Sequence, residues 1–299
     1  MKIGVIGIGD IAKKAYLPVL TQTKDIELHV CTRNKETLKE IKSTYQLQNT
    51  YTQIDDWLQC GMEAAFVHSS TDSHEGIIDT LLDHDIHVYV DKPITYEASS
   101  TKRLINKAKD KGLILMVGFN RRYAPSYQKL KEIDDPNMVL IQKNRGNQAE
   151  KIRTFIFDDF IHVIDTLLYL FPYDIENVNV RGKRKNGILH HIVLQLEAKE
   201  GTAIGIMNRE SGTSKETVEV HSPKETRIAE NVNKVISQQN KSNMIHAEND
   251  WEPTLNKRGF RGIVDTFFNR VEKKEVLNES DEADLRTHLL AEEIIELLK

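Results

Sequence analysis

Short apolar runs recur through the first 120 positions, each stopped by glycine, hydroxyl or charged residues. They alternate with stretches whose apolar residues return every three or four positions. Lys2-Ile3-Gly4-Val5-Ile6 reads as a strand, residues 12–20 as a helix, 26–31 as a second strand, and Lys35–Tyr45 as a helix with Leu38 and Ile41 on its apolar face. Residues 63–68 read as the fourth strand, 75–83 as a helix, 86–90 as the fifth strand, 98–111 as a basic amphipathic helix and 113–117 as the sixth strand. Strands and helices in this alternation predict one doubly wound parallel sheet, an α/β Rossmann domain over residues 1–120.

Beyond Tyr123 the pattern changes. A helix over 124–133, a strand over 138–143 and a longer helix over 156–171, stopped by Pro172, lead into consecutive strands at 176–180, 188–197, 202–207 and 217–221. Strand-like stretches continue to Ser237, and helices over 260–271 and 281–298 close the chain. Strands that follow one another directly predict an open antiparallel sheet, so residues 121–299 form a second, α+β domain. A length of 299 residues, at roughly 150 per domain, agrees with two.

Charge and composition remove several function classes. A net charge of -4 gives no basic face for nucleic acid, and the one dense basic run, Arg181-Gly182-Lys183-Arg184-Lys185, reads as a solvated turn between strands. Cys31 and Cys60 cannot build a disulfide framework and read as small buried hydrophobes. Asp10 and Lys13 interrupt the amino-terminal segment before a signal-peptide core is complete, and no apolar run has the length of a membrane span. A soluble cytoplasmic protein, with no nucleic-acid or membrane partner, is expected.

Candidate chemistry gathers where the predicted strands end, which is where open α/β sheets bind ligands. Gly7-Ile8-Gly9-Asp10-Ile11-Ala12 follows the first strand as G-x-G-x-x-A. The first glycine permits a tight turn, the second lets the backbone approach a pyrophosphate, and Ala12 lets the helix pack close with its positive end toward the phosphates. Strand before and helix after make this a predicted dinucleotide site. The second strand ends in Thr32-Arg33-Asn34, where an NAD-specific protein usually presents an acid to the ribose 2′-hydroxyl. With Thr32 and Arg33 there instead, NADP is the expected cofactor; NAD is the alternative if Arg33 is an ordinary helix-start residue. The run Ser69-Ser70-Thr71-Asp72-Ser73-His74 offers hydroxyls to ribose or phosphate, although Thr71 or Ser73 serves equally as a helix cap.

The fifth strand delivers Asp91-Lys92-Pro93 to its carboxyl end, and Pro93 fixes the backbone directly after the lysine. A surface lysine opening a loop is the plainer reading. Asn120 and Arg122 leave the sixth strand within reach of cofactor or substrate, while for Arg121 a surface salt bridge is an equal reading. In the second domain Asp158 and His162 are four apart on the 156–171 helix and share a face. Such a pair is a general base with its orienting acid, a structural ion pair, or half of a metal site. No H-E-x-x-H or clustered cysteines supply a third ligand, and His190 and His191 point to opposite faces of a strand, so no metal is expected.

Taken together, Gly7-x-Gly9-x-x-Ala12, Asp91-Lys92-Pro93 and Asp158-x-x-x-His162 followed by Val163-Ile164-Asp165 resemble the Gfo/Idh/MocA oxidoreductases. Phe66-Val67-His68-Ser69-Ser70-Thr71, Val117-Gly118-Phe119-Asn120-Arg121-Arg122 and Trp251-Glu252-Pro253-Thr254-Leu255 are closer still to the bacterial MviM-like branch. The resemblance implies a nicotinamide-dependent enzyme that exchanges a hydride with a secondary alcohol of a sugar, polyol or inositol-like small molecule. It also implies a homo-oligomer assembled through the antiparallel sheet. Lys92 matches the family's lysine, Asp158 and His162 match its Asp-His helix, and the Lys92-Pro93 peptide is expected to be cis. Asp91 departs from the family's usual glutamate. In this reading His162 removes the hydroxyl proton, Asp158 orients it and Lys92 steadies the alkoxide, with Lys92 as the alternative base. A protein that senses NADP without turnover is the competing reading; retention of both Lys92 and His162 favours the enzyme.

Overall fold

The computed structural model describes residues 1–246, 251–276 and 278–299. These pack as two compact units, one of Met1–Gly118 with Ile263–Leu285, the other of Phe119–Gly262 with Arg286–Lys299. A division at residue 120 therefore leaves one segment misplaced, because Ile263–Leu285 returns to the first unit. Phe267 explains the return: its ring meets Phe66 edge-on at 5.2 Å and Tyr89 at 5.6 Å, covering apolar surface on two strands.

In the first unit the strands are β1 (Lys2–Ile6), β2 (Glu27–Cys31), β3 (Asn49–Tyr51), β4 (Ala64–Val67), β5 (His87–Val90) and β6 (Leu115–Val117), in the order β3-β2-β1-β4-β5-β6. All pairings are parallel. The order reverses beside β1, which creates the crevice in which such sheets bind nucleotides. Val5, Val30, Phe66, Val88 and Val90 are fully buried. Each such side chain contributes about 1.5–3 kcal/mol of apolar burial. The helix after β1 runs over Ala12–Tyr16 and Leu17–Leu20, and its first part is widened, with Leu17 donating to the Ala12 carbonyl. Pro18, which has no N–H to give, follows directly. The helix predicted over 75–83 starts earlier, as Thr71–Asp83, and takes in Ser73 and His74.

The second unit carries β7 (Met138–Asn144), β8 (Glu150–Lys151), β9 (Asn177–Lys185), β10 (Ile188–Ala198), β11 (Gly201–Asn208), β12 (Lys215–His221), β13 (Thr226–Glu230), β14 (Lys234–Gln239) and β15 (Ser242–His246). Their sheet is mostly antiparallel, with one exception: β7 sits centrally and runs parallel to β11 while pairing antiparallel with β12. The basic run expected as a turn lies inside β9; the turn itself is Asn186-Gly187, both at positive φ of 54° and 76°. The predicted 156–171 helix comprises three segments, Ile152–Phe155, a widened turn at Ile156–Phe160, and Ile161–Leu170. It approaches the sheet closely at Gly205, where an added Cβ would lie 2.6 Å from Val163. No described helix is long and apolar enough to cross a membrane.

Candidate active site

The crevice beside β1 holds a cavity of roughly 590 Å³, lined at the strand ends by Gly7, Gly9, Thr32, Arg33, Ser69 and Ser70. Gly7 has φ of 85°, and an added Cβ there would collide with the Ser69 backbone, so the turn admits no side chain. Gly9 is bare for another reason. An added Cβ would meet only the His68 carbonyl, at 3.8 Å, which leaves its backbone open to a ligand. Ala12 is fully buried under the helix start. Ile11 is half-buried, and Asp10 is exposed and pairs with Lys14 at 2.9 Å. A pyrophosphate against the Gly7–Ala12 turn fits this geometry.

At the end of β2 the Thr32 N–H donates to the Tyr51 carbonyl, and Asn34 caps the next helix by accepting from Glu36 and Thr37. Arg33 is exposed, and among the described residues no carboxylate pairs with it. Nor is any Asp or Glu found among the residues that line the cavity. Burial pushes the Cys31 thiol at its wall up to about 11, so it stays neutral. On the opposite wall Ser73 Oγ lies 2.9 Å from Ser69 Oγ and 2.7 Å from the Ser70 carbonyl. Ser70 is the cap position, Thr71 is the first helical residue, and neither Thr71 nor His74 lines the cavity. His74 stands behind the wall. Its Nδ1 is 2.9 Å from the Pro93 carbonyl and its Nε2 3.0 Å from the Ser69 carbonyl.

The Lys92-Pro93 peptide is cis, and Lys92 is half-buried. Burial pushes the Asp91 carboxyl up, against the pull of Lys92 and His74. Tyr16 and Tyr89 share a hydrogen bond of 2.7 Å beside it, and burial with Asp91 holds the Tyr16 phenol well above its usual range. A Cβ at Gly118 would lie 3.0 to 3.1 Å from Tyr89 Oη, Asp91 Oδ1 and Tyr16 Oη, so the glycine leaves room for this group. Neither Tyr16 nor Tyr89 stood out as a site residue in the sequence, because a tyrosine in an apolar run reads as core.

In the second unit Asp158 and His162 are both half-buried on the same helical run. Beside them Asp159 turns inward and meets Lys143, Arg145 at 3.5 Å and Arg209 at 3.1 Å. Against the push of burial, these cations hold its carboxyl well below the usual range. Arg121 is buried rather than on the surface. It forks onto Glu216 at 2.6 and 2.8 Å, and Tyr127 donates to the same carboxylate at 2.6 Å. Asn120 donates to the Arg258 carbonyl at 2.8 Å, and Arg122 is held by buried Asp165 and lies 5.0 Å over the Phe119 ring. A period-two reading of β7 would have found one of these groups. Val139, Ile141 and Lys143 share the buried face.

Residues 1–119 match the family model described as "Oxidoreductase family, NAD-binding Rossmann fold", and residues 125–240 match "YceM-like, C-terminal domain". A Gfo/Idh/MocA family oxidoreductase from Vibrio cholerae is 31% identical, with a TM-score of 0.94 over 100% of this chain and 98% of that one. The chain belongs to the Gfo/Idh/MocA family. A second structure of this kind, the MviM dehydrogenase of Clostridium difficile, is 32% identical with a TM-score of 0.94 over 99% of each chain. The myo-inositol 2-dehydrogenase of Thermotoga maritima is 27% identical over 70% of this chain and 68% of its own length. As a Gfo/Idh/MocA protein the chain has an NAD-binding oxidoreductase fold, with Gly7 and Gly9 inside the matched region.

Proposed function

We propose that the chain is a dehydrogenase that exchanges a hydride with a secondary alcohol of a sugar, polyol or inositol-like substrate, and that it binds NADP in preference to NAD. One observation supports the cofactor choice: Thr32 and Arg33 line the cavity at the end of β2, and no carboxylate does. The inositol dehydrogenase of Thermotoga maritima supports the substrate class. When bound, the nicotinamide gives or takes the hydride. Lys92 steadies the oxygen as charge develops on it, His162 takes the hydroxyl proton, and Asp158 orients the imidazole. Gly7, Gly9, Asp10, Ile11 and Ala12 cradle the pyrophosphate, while Ser69 and Ser70 serve a ribose. A panel of sugars, inositols and diols, each offered NADP and NAD, tests the reading through nicotinamide absorbance. No change with any member would count against it.

Assembly belongs to the same proposal. On the outer face of the second-unit sheet Met138 and Val193 are exposed, and Leu140, Ile204 and Ile206 are half-buried. A second copy of the chain covers that face, and native mass is the measurement. A monomer at micromolar concentration would remove this part.

A further inference from the structure

The polar group on the inner face of the second-unit sheet has a charge imbalance. Lys143 on β7 stands directly opposite Glu216 on β12, and Asp159 comes down onto them from the widened turn at Ile156–Phe160. Arg121 pairs with Glu216, while Arg145 and Arg209 converge on the same Asp159 oxygen that faces away from Lys143. Among the described residues this group sets three arginines and a lysine against two carboxylates, so an excess of positive charge remains even with Lys143 only partly ionised. Burying charge that is not neutralised is costly, so a fold that keeps such an excess without a counter-ion works against its own stability.

Three details place the missing negative charge at one end. Arg209 is 7% exposed and stacks 4.6 Å over the Phe155 ring; it gives one guanidinium nitrogen to the Gln148 carbonyl and another to Asp159. Its Nε is buried with no partner. Arg145 beside it has a side chain 35% exposed, and its 3.5 Å contact with Asp159 is long for a charged pair. At the closed end, by contrast, Lys143 is 1% exposed, and burial together with Arg121 pushes its ammonium down to about 7. An unpartnered buried donor on Arg209 and solvent access at Arg145 therefore lie at the same end of the group.

We propose that Arg145 and Arg209 form an anion site that takes the carboxylate or phosphoryl group of the small-molecule substrate. Asp159, the Gln148 carbonyl and the Phe155 ring hold the Arg209 plane, so one fork is set before the ligand arrives, and Arg145 at the rim is drawn toward the same Asp159 oxygen. Asp159 lies three residues before His162 on the same helical run, so the anion site and the imidazole are carried by neighbouring turns. The inference rests on the dehydrogenase reading only for calling the ligand a substrate. It narrows the class to acidic or phosphorylated polyols and sugars.

The test uses the full chain with saturating NADP, which occupies the dinucleotide cavity, and titrates inorganic phosphate or acetate at constant ionic strength against chloride. Saturable thermal stabilisation beyond the chloride control is expected, and comparison of the two probes identifies the preferred group. Arg145→Ala should weaken that binding at least ten-fold and leave the unliganded melting temperature near wild type, because Arg145 is at the exposed rim. Arg145→Lys, which keeps the charge and loses the fork, should fall between the two. An Arg145→Ala protein that titrates like wild type, or phosphate and acetate no better than chloride, overturns the site. Turnover of sugar acids, sugar phosphates and neutral polyols, measured separately through nicotinamide absorbance, reports on the dehydrogenase reading whichever way the anion titration falls.

Discussion

The His74 imidazole lies 2.9 Å from the Pro93 carbonyl, with its other nitrogen 3.0 Å from the Ser69 carbonyl. One buried side chain thus joins the hydroxyl turn at the dinucleotide cavity to the turn that carries Lys92. Replacing it by Leu keeps the volume and takes the imidazole N–H from the buried backbone carbonyl it serves. We expect a loss of about 1–3 kcal/mol in urea unfolding. His74→Asn, which retains an amide donor, should recover part of it. Stability of His74→Leu equal to wild type would mean that this carbonyl finds another donor.

Arg33 governs the cofactor prediction. Arg33→Asp replaces attraction for a 2′-phosphate by repulsion, and two unit charges about 4 Å apart interact by about 4 kcal/mol at an effective dielectric of 20. Arg33 is exposed, so water and salt reduce this to about 1–2 kcal/mol. NADP should bind roughly ten-fold more weakly in calorimetry, with NAD little changed, and the gap should narrow at high salt. Equal affinities of the unaltered protein for NADP and NAD would remove the preference.

Why the first unit was legible and much of the second was not is a matter of where the determining contacts lie in sequence. The G-x-G-x-x-A turn and the apolar strands β1, β4 and β5 are local, because buried parallel strands read as continuous apolar runs. β3 escaped because Asn49–Tyr51 is three half-buried residues with no apolar run. The parallel pairing of β7 with β11 escaped because no local pattern reports which strands become neighbours. Asp158 was singled out over Asp159 because four-residue spacing aligns it with His162 on a regular helix. The widened turn at Ile156–Phe160 turns Asp159 to the sheet instead. Arg121 and Glu216, 95 residues apart, form a pair that only the tertiary fold creates.

His68 predicts a pH dependence of stability. Its ring is 4% exposed and stacks 4.0 Å from Tyr16, neither ring nitrogen has a partner, and burial with nearby His74 lowers its pKa to about 3. The unfolded imidazole takes its proton near pH 6.5, so between about 6.5 and 3 the unfolded chain binds more protons and stability falls as pH falls. From pH 7 to pH 5 this one group should cost roughly 2 kcal/mol. His68→Leu should remove that part of the slope and, by deleting two orphaned polar atoms, should not destabilise at pH 7. A slope unchanged in the variant would assign the acid sensitivity to other groups.

The catalytic proposal makes the strongest demand on Lys92 and His162. A general base acts on the proton in flight, so His162→Ala should lower turnover by roughly 10² to 10⁴ with NADP affinity almost unaltered, because the dinucleotide cavity is built by the first unit alone. Lys92→Ala should cost a similar factor. The two variants should differ in pH profile. If His162 is the base, Lys92→Ala keeps the acid-side limb of the kcat/KM profile and His162→Ala loses it. Loss of that limb in Lys92→Ala, with its retention in His162→Ala, would exchange the two roles. Full turnover in His162→Ala would exclude the imidazole from proton transfer and leave Asp158 without a ring to orient.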